Sequence, residues 1–133
     1  MEWVIEVEGL VKEFNGRRVL HDVTFHVGRG EVFGLLGPNG AGKTTTIRIL
    51  LGLLEPTSGK ALVLGGRLSE DGELRSRVGV VLEGDGLFPQ LTAYENLEFY
   101  ARVYGLKSTV ERGKRIREVL ELVGLYEARN VRV

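Results

Sequence analysis

Nine consecutive residues, Gly37-Pro38-Asn39-Gly40-Ala41-Gly42-Lys43-Thr44-Thr45, contain the pattern G-x-x-x-x-G-K-[ST]. Each residue type in it suits the handling of phosphate. Glycines at 37, 40 and 42 let the backbone curl so that successive N–H groups converge on one anion. A helix opening near Lys43 adds the positive end of its dipole. Lys43 brings a point charge to the β- and γ-phosphates of a nucleoside triphosphate, and the Thr44 hydroxyl can ligate Mg²⁺. A glycine-rich turn that binds nothing would need neither the lysine nor the hydroxyl.

The pattern carries weight only between a strand and a helix, and the flanking residues supply both. Glu31 to Leu36 is a short apolar run that suits a buried strand, and Lys43 to Leu54 spaces Ile47, Leu50, Leu51 and Leu54 as a helix does. Upstream, Trp3 to Val7 alternates as a strand, and Val19 to Val27 is strand-like with an interruption near His21 and Asp22. Downstream, Glu55 to Gly59 reads as a turn, and Ala61–Leu64 and Val78–Leu82 as two further short strands. Glu83 to Gln90 is a loop. Two helices follow, each opened by a capping box, Thr92 with Glu95 and Ser108 with Glu111, and each ended by a glycine, Gly105 and Gly124. The second has Ile116, Val119, Leu120 and Val123 on one face. The expected fold is α/β: N-terminal antiparallel strands, a partial parallel core sheet around the phosphate loop, then the start of a helical segment, with no linker separating independent domains.

Composition narrows the function from outside. Eighteen Lys and Arg balance eighteen Asp and Glu, so no broad basic surface invites nucleic acid. The chain has no cysteine, which removes disulfides and thiolate metal sites. No apolar run approaches the roughly 20 residues of a membrane-spanning helix, and the charged start MEWVIEVEG is no signal peptide. Any membrane connection is expected to run through a partner.

The wording GPNGAGKTT followed by PTSGKALVLG, and then VGVVLEGDGLFPQLTAYENLEFYARVYGL, resembles the N-terminal half of an ABC-transporter ATPase subunit, from near Trp3 to the last residue. The closest likeness is to exporter-type subunits for drugs, ions or polysaccharides. The resemblance implies a P-loop NTPase divided into a β-subdomain and P-loop core (1–82), a Q-loop (83–91) and the start of a helical subdomain (92–133). It implies Mg-ATP as ligand. Phe14, in VKEFNGRRVL, falls where the family stacks an aromatic ring on adenine, more often a tyrosine; Phe keeps the π-face this needs. Glu83 falls where the family has a glutamine that contacts Mg²⁺ or the attacking water, and a glutamate oxygen can also ligate Mg²⁺. The implied catalytic residues are Lys43 and Glu83, the metal ligands Thr44 and Glu83, and the nucleotide contacts Phe14 and Gly37 to Thr45.

The implied partners are a transmembrane permease and a second ATP-binding subunit, with no nucleic acid, and the implied location is the cytoplasmic face of the membrane. An LSGGQ-like signature segment, an apolar strand ending in Asp-Glu and a later switch histidine do not occur among these residues. The expectation is therefore a fragment of a longer ATPase that binds ATP without efficient turnover. His21 and His26 precede the loop and are expected as surface or strand residues, Trp3 as a packing residue, and Glu111–Glu121 as a solvated helix face. Two alternatives stand beside this reading. One is a self-contained small P-loop NTPase, with Glu83 or Asp85 holding the metal; the chain lacks its Asn-Lys-x-Asp guanine motif. The other is a non-transporter ABC protein.

Overall fold

Asn15 and Gly16 both take positive φ, 49° and 81°, the two-residue turn whose twist matches a β-hairpin. They join β1 (Trp3–Phe14) to β2 (Arg17–Gly28), so the first strand runs well past Val7. The computed structural model describes residues 2–84 and 86–133; Asp85, the alternative metal ligand, lies outside them. The described chain divides into two compact units, residues 1–79 and 80–133.

In the first unit β3 (Ser58–Val63) adds to the other edge of β1, giving an antiparallel sheet in the order β2-β1-β3. The interruption expected near His21-Asp22 is a bulge: Asp22 and Gly9 both adopt φ of 56°, and the register shifts between Val7 and Leu10. The Gly9 N–H, turned out of the ladder, donates to Thr24 Oγ1 at 2.9 Å. The inner face of the sheet and helix α1 (Lys43–Leu50) share one core of Val7, Leu10, Leu20, Ile49, Leu50, Val63 and Leu68.

The helix is shorter and turned differently from the expectation. It ends in a Schellman motif, Gly52 N–H to Ile49 O and Leu53 N–H to Arg48 O, with Gly52 at φ 73°. Thr46, Ile49 and Leu50 face inward, whereas Ile47 is exposed. A short helix, α2 (Gly72–Ser76), follows with Asp71 as its cap.

Two expected strands are corrected. Glu31–Leu36 and Val78–Leu82 carry no ladder among the described residues, and every strand pair there is antiparallel. Val32, Leu36 and Val81 are 102, 92 and 90% exposed. A buried parallel strand needs partners along its edges and covered faces, and apolar composition alone supplies neither. The turn at 55–59 is also shorter, because β3 already begins at Ser58, which pairs with Val11 of β1.

The second unit holds α3 (Ala93–Val103) and α4 (Thr109–Leu122), then a single 3-10 turn at Tyr126–Ala128. Thr92 caps α3 reciprocally with Glu95, at 3.1 and 3.0 Å. Ser108 caps α4 from one side only, accepting from Glu111 N–H at 3.3 Å. Gly105 and Gly124 close both helices in left-handed Schellman turns. On α4, Ile116 and Leu120 are buried as expected, but Val123 is exposed. Arg112 departs from the solvated face expected of 111–121. It is buried, and its guanidinium donates to the carbonyls of Leu106 and Lys107 at 3.0 and 2.8 Å, tying the α3–α4 connection. Among the described residues no helix is long and apolar enough to cross a membrane.

Candidate nucleotide site

Gly40 and Gly42, at φ 84° and 94°, make the two left-handed steps that turn the backbone at residues 37–42 into α1. Gly42 is the N-cap of α1, and no side chain caps it. The first turn also lacks an acidic residue, whereas α2, α3 and α4 each have both a side-chain cap and a Glu there. Among the described residues only the Ala41 N–H of the loop is used internally, donating to Pro38 O at 3.1 Å. The N–H groups of Asn39, Gly40, Gly42, Lys43, Thr44 and Thr45 donate to no protein acceptor there. Six unpaired donors at the positive end of a helix form a cradle for an oxyanion.

The cationic part of the site is in place. The Lys43 ammonium folds back over the loop and donates to the carbonyls of Gly37 and, at 3.3 Å, of Pro38. These carbonyls are neutral acceptors that phosphate oxygens can replace with stronger, charge-assisted bonds. The loop is held from below by Thr46, which is buried and donates from Oγ1 to Gly42 O at 2.8 Å. A Cβ on Gly37 would stand 3.0 Å from Ala41 Cβ, so a side chain there would require Ala41 to give by a few tenths of an ångström. Thr44 is exposed with its hydroxyl free of hydrogen bonds among the described residues, as a metal ligand requires. The donor set fits a phosphate with a hard, oxygen-preferring cation.

Phe14 closes β1 at the hairpin, 41% exposed, with the Lys12 ammonium 5.0 Å from its ring centre. It is not a core aromatic, and much of its ring is free to stack. The Asn15-Gly16 hairpin turn presents it. Glu83 lies in the second unit, exposed in a turn and without an ion pair among the described residues.

Sequence reasoning missed Asn96, the buried anchor of the loop that follows Glu83. Its Oδ1 accepts from Phe88 N–H at 2.8 Å, and its Nδ2 donates to the carbonyls of Phe88 and Thr92 at 3.2 and 3.0 Å. Tyr100 adds a hydroxyl hydrogen bond to Gly86 O. The only hint in the sequence is an amide where a helix facing a core would carry an apolar residue. His26 and Trp3 are stacked at 5.0 Å on the sheet, and Glu8, bonded to Lys60 and then to His26, has its carboxyl held below the usual range. Hydrogen bonding to Glu121 raises Arg117 above its ordinary value.

Comparison with known proteins gives a consistent result. Residues 20–133 match the ABC transporter family. The chain is 46% identical over 125 residues to a probable multidrug ABC transporter ATP-binding protein of Escherichia coli, covering 93% of this chain and 22% of that protein. It is 41% identical over 130 residues to the bacitracin transport ATP-binding protein of Enterococcus faecalis, covering 96% and 40%. Among solved structures, an ATP-binding subunit of an ABC transporter superposes with a TM-score of 0.81 at 36% identity, over 97% of this chain and 54% of that one. A second, cbiO1 of Clostridium perfringens, described as part of the complex cbiONQ, gives 0.84 at 27%, over 99% and 55%. The chain thus spans 22 to 40% of the two curated relatives and about half of the solved ones. The expected α/β fold, the N-terminal portion of a P-loop ATPase, is the fold of these subunits.

Proposed function

Since the chain belongs to the ABC transporter family, we propose that it binds Mg-ATP as the nucleotide-binding portion of an ATPase subunit that powers export. The observation that carries this is the loop from Asn39 to Thr45, where every N–H except that of Ala41 is unpaired among the described residues, at the start of an α-helix that no side chain caps, with Lys43 beside it. In this reading Gly37, Pro38, Asn39, Gly40, Ala41, Gly42 and Thr45 wrap the phosphates by their backbone. Lys43 neutralises the β- and γ-oxygens, Thr44 ligates Mg²⁺, and Phe14 stacks on adenine. Glu83 is assigned a magnesium contact on the family resemblance.

The partner is a transmembrane permease, against which the subunit lies on the cytoplasmic side, working with a second ATP-binding subunit. The names of the relatives, multidrug and bacitracin transport, favour export. These 133 residues contain no LSGGQ-like segment and no Asp-Glu strand, so the reading assigns binding to this chain and turnover to a longer parent.

The test is equilibrium binding of a fluorescent ATP analogue. Lys43→Ala is expected to weaken binding about 10- to 100-fold, the loss of charge-assisted bonds of about 1.5–3 kcal/mol. Unchanged affinity would overturn the assignment of the loop. Steady phosphate release by the purified chain, abolished by the same substitution, would overturn the division between binding and turnover.

A further inference from the structure

Three donor side chains stand together on the sheet, and none belongs to the phosphate loop. Glu6 lies opposite His26 in the β1–β2 ladder, and Glu8 follows two residues later. Strand alternation therefore places all three on one face. Their ligand atoms all lie within 4.8 Å of one another.

Details of the cluster point to a metal rather than to ion pairing alone. His26 Nε2 and Glu8 Oε1 are joined only by a long hydrogen bond of 3.4 Å, against a usual N–H···O range that ends at about 3.2 Å. That spacing equals the edge of a tetrahedron drawn with metal–ligand bonds of about 2.1 Å. Lys60 occupies the other oxygen of Glu8 at 3.1 Å, which orients the carboxylate and leaves Oε1 available. Glu6 is half-buried beside this second carboxylate, yet has no hydrogen bond or ion pair among the described residues. Two negative charges thus share one ammonium, and the unpaired one faces an imidazole. The His26 ring is held by Trp3, stacked at 5.0 Å with an interplanar angle of 30°.

We propose that Glu6, Glu8 and His26 bind a borderline divalent transition ion, zinc foremost, with the fourth position left to water. An imidazole with two carboxylates suits Zn²⁺ and its neighbours, whereas Mg²⁺ favours six oxygens. The site is therefore chemically separate from the magnesium of the nucleotide. Bound zinc would staple β1 to β2 and stabilise the fold by mass action.

Trp3 is the single tryptophan of the chain and touches the ligand imidazole, so its emission reports on the site. The full chain is titrated with Zn²⁺, Co²⁺ and Mg²⁺, following Trp3 fluorescence, the visible absorption of Co²⁺ and heat of binding. The expected result is saturation at one equivalent of Zn²⁺, a tetrahedral Co²⁺ spectrum and no response to Mg²⁺. Glu6→Gln and His26→Ala are each expected to weaken zinc binding about 10- to 100-fold or more, with far-UV circular dichroism unchanged. Because His26→Ala also alters the stacking on Trp3, its affinity is read from heat and Co²⁺ absorption. Absence of a saturable zinc response overturns the proposal, and so does wild-type affinity in both variants. Neither result bears on ATP binding.

Discussion

Alanine at Gly42 and alanine at Gly40 impose the same backbone strain on the phosphate loop but different steric costs. Both glycines have left-handed φ, 94° and 84°, so each substitution costs about 1–2 kcal/mol for placing a Cβ in that region. At Gly40 the added Cβ meets nothing within 4 Å. At Gly42 it would overlap the Leu20 side chain and approach Val19 O to 3.3 Å. Leu20 is 2% exposed and belongs to the core, so it has little space to retreat, and such overpacking costs about 1–3 kcal/mol. The expected losses are then about 1–2 kcal/mol for Gly40→Ala and about 2–5 kcal/mol for Gly42→Ala. Thermal unfolding followed by circular dichroism reads the difference, since each kcal/mol moves the Tm of a unit of this size by about 4–8 °C. Equal Tm losses in the two variants would refute the reasoning, because they would show that Leu20 yields freely and that only φ matters.

Asn96→Ala leaves Phe88 N–H and the Phe88 and Thr92 carbonyls without their amide partner. At about 1 kcal/mol per bond, a loss of about 2–4 kcal/mol is expected, and hydrogen exchange at 88–92 should accelerate while α3 persists; unchanged exchange would contradict it. Thr92→Ala removes the reciprocal cap of α3 and should cost about 1 kcal/mol. Ser108→Ala should cost less in the same urea titration, because its cap is a single bond at 3.3 Å.

Much of the site was legible in the sequence because its chemistry depends on residue type at short range. The order from Gly37 to Thr45 specifies where a backbone can turn left-handed, where a cation stands and where a hydroxyl falls. The caps at Thr92 and Ser108 and the glycine stops at Gly105 and Gly124 were legible for the same reason, since each involves residues within one or two turns. The bulge near Asp22 showed as a break in alternation. Arg112 and Asn96 were illegible, because their partners lie in the connections at 106–107 and 88–92, and helical periodicity says nothing about which polar side chain turns inward. The inward face of α1 was misread for a related reason. Thr46 is buried because Gly42 O accepts its hydroxyl, and a hydrophobic pattern cannot register that.

The two apolar segments at 31–36 and 78–82 mark the boundary. Their composition is that of buried strands, but a strand is completed by a ladder to another strand, and among the described residues neither segment joins one. The sequence by itself determined the local pattern: a glycine-rich turn, the lysine after it and the hydroxyl next to that, the groups proposed to hold phosphate and metal. Only the tertiary structure decided which polar groups are satisfied and which stand open. Among the described residues it left six loop N–H groups without protein partners while burying Arg112 and Asn96 against carbonyls. Hydrogen-bond satisfaction is a property of assembled neighbours, and no single stretch of chain carries it.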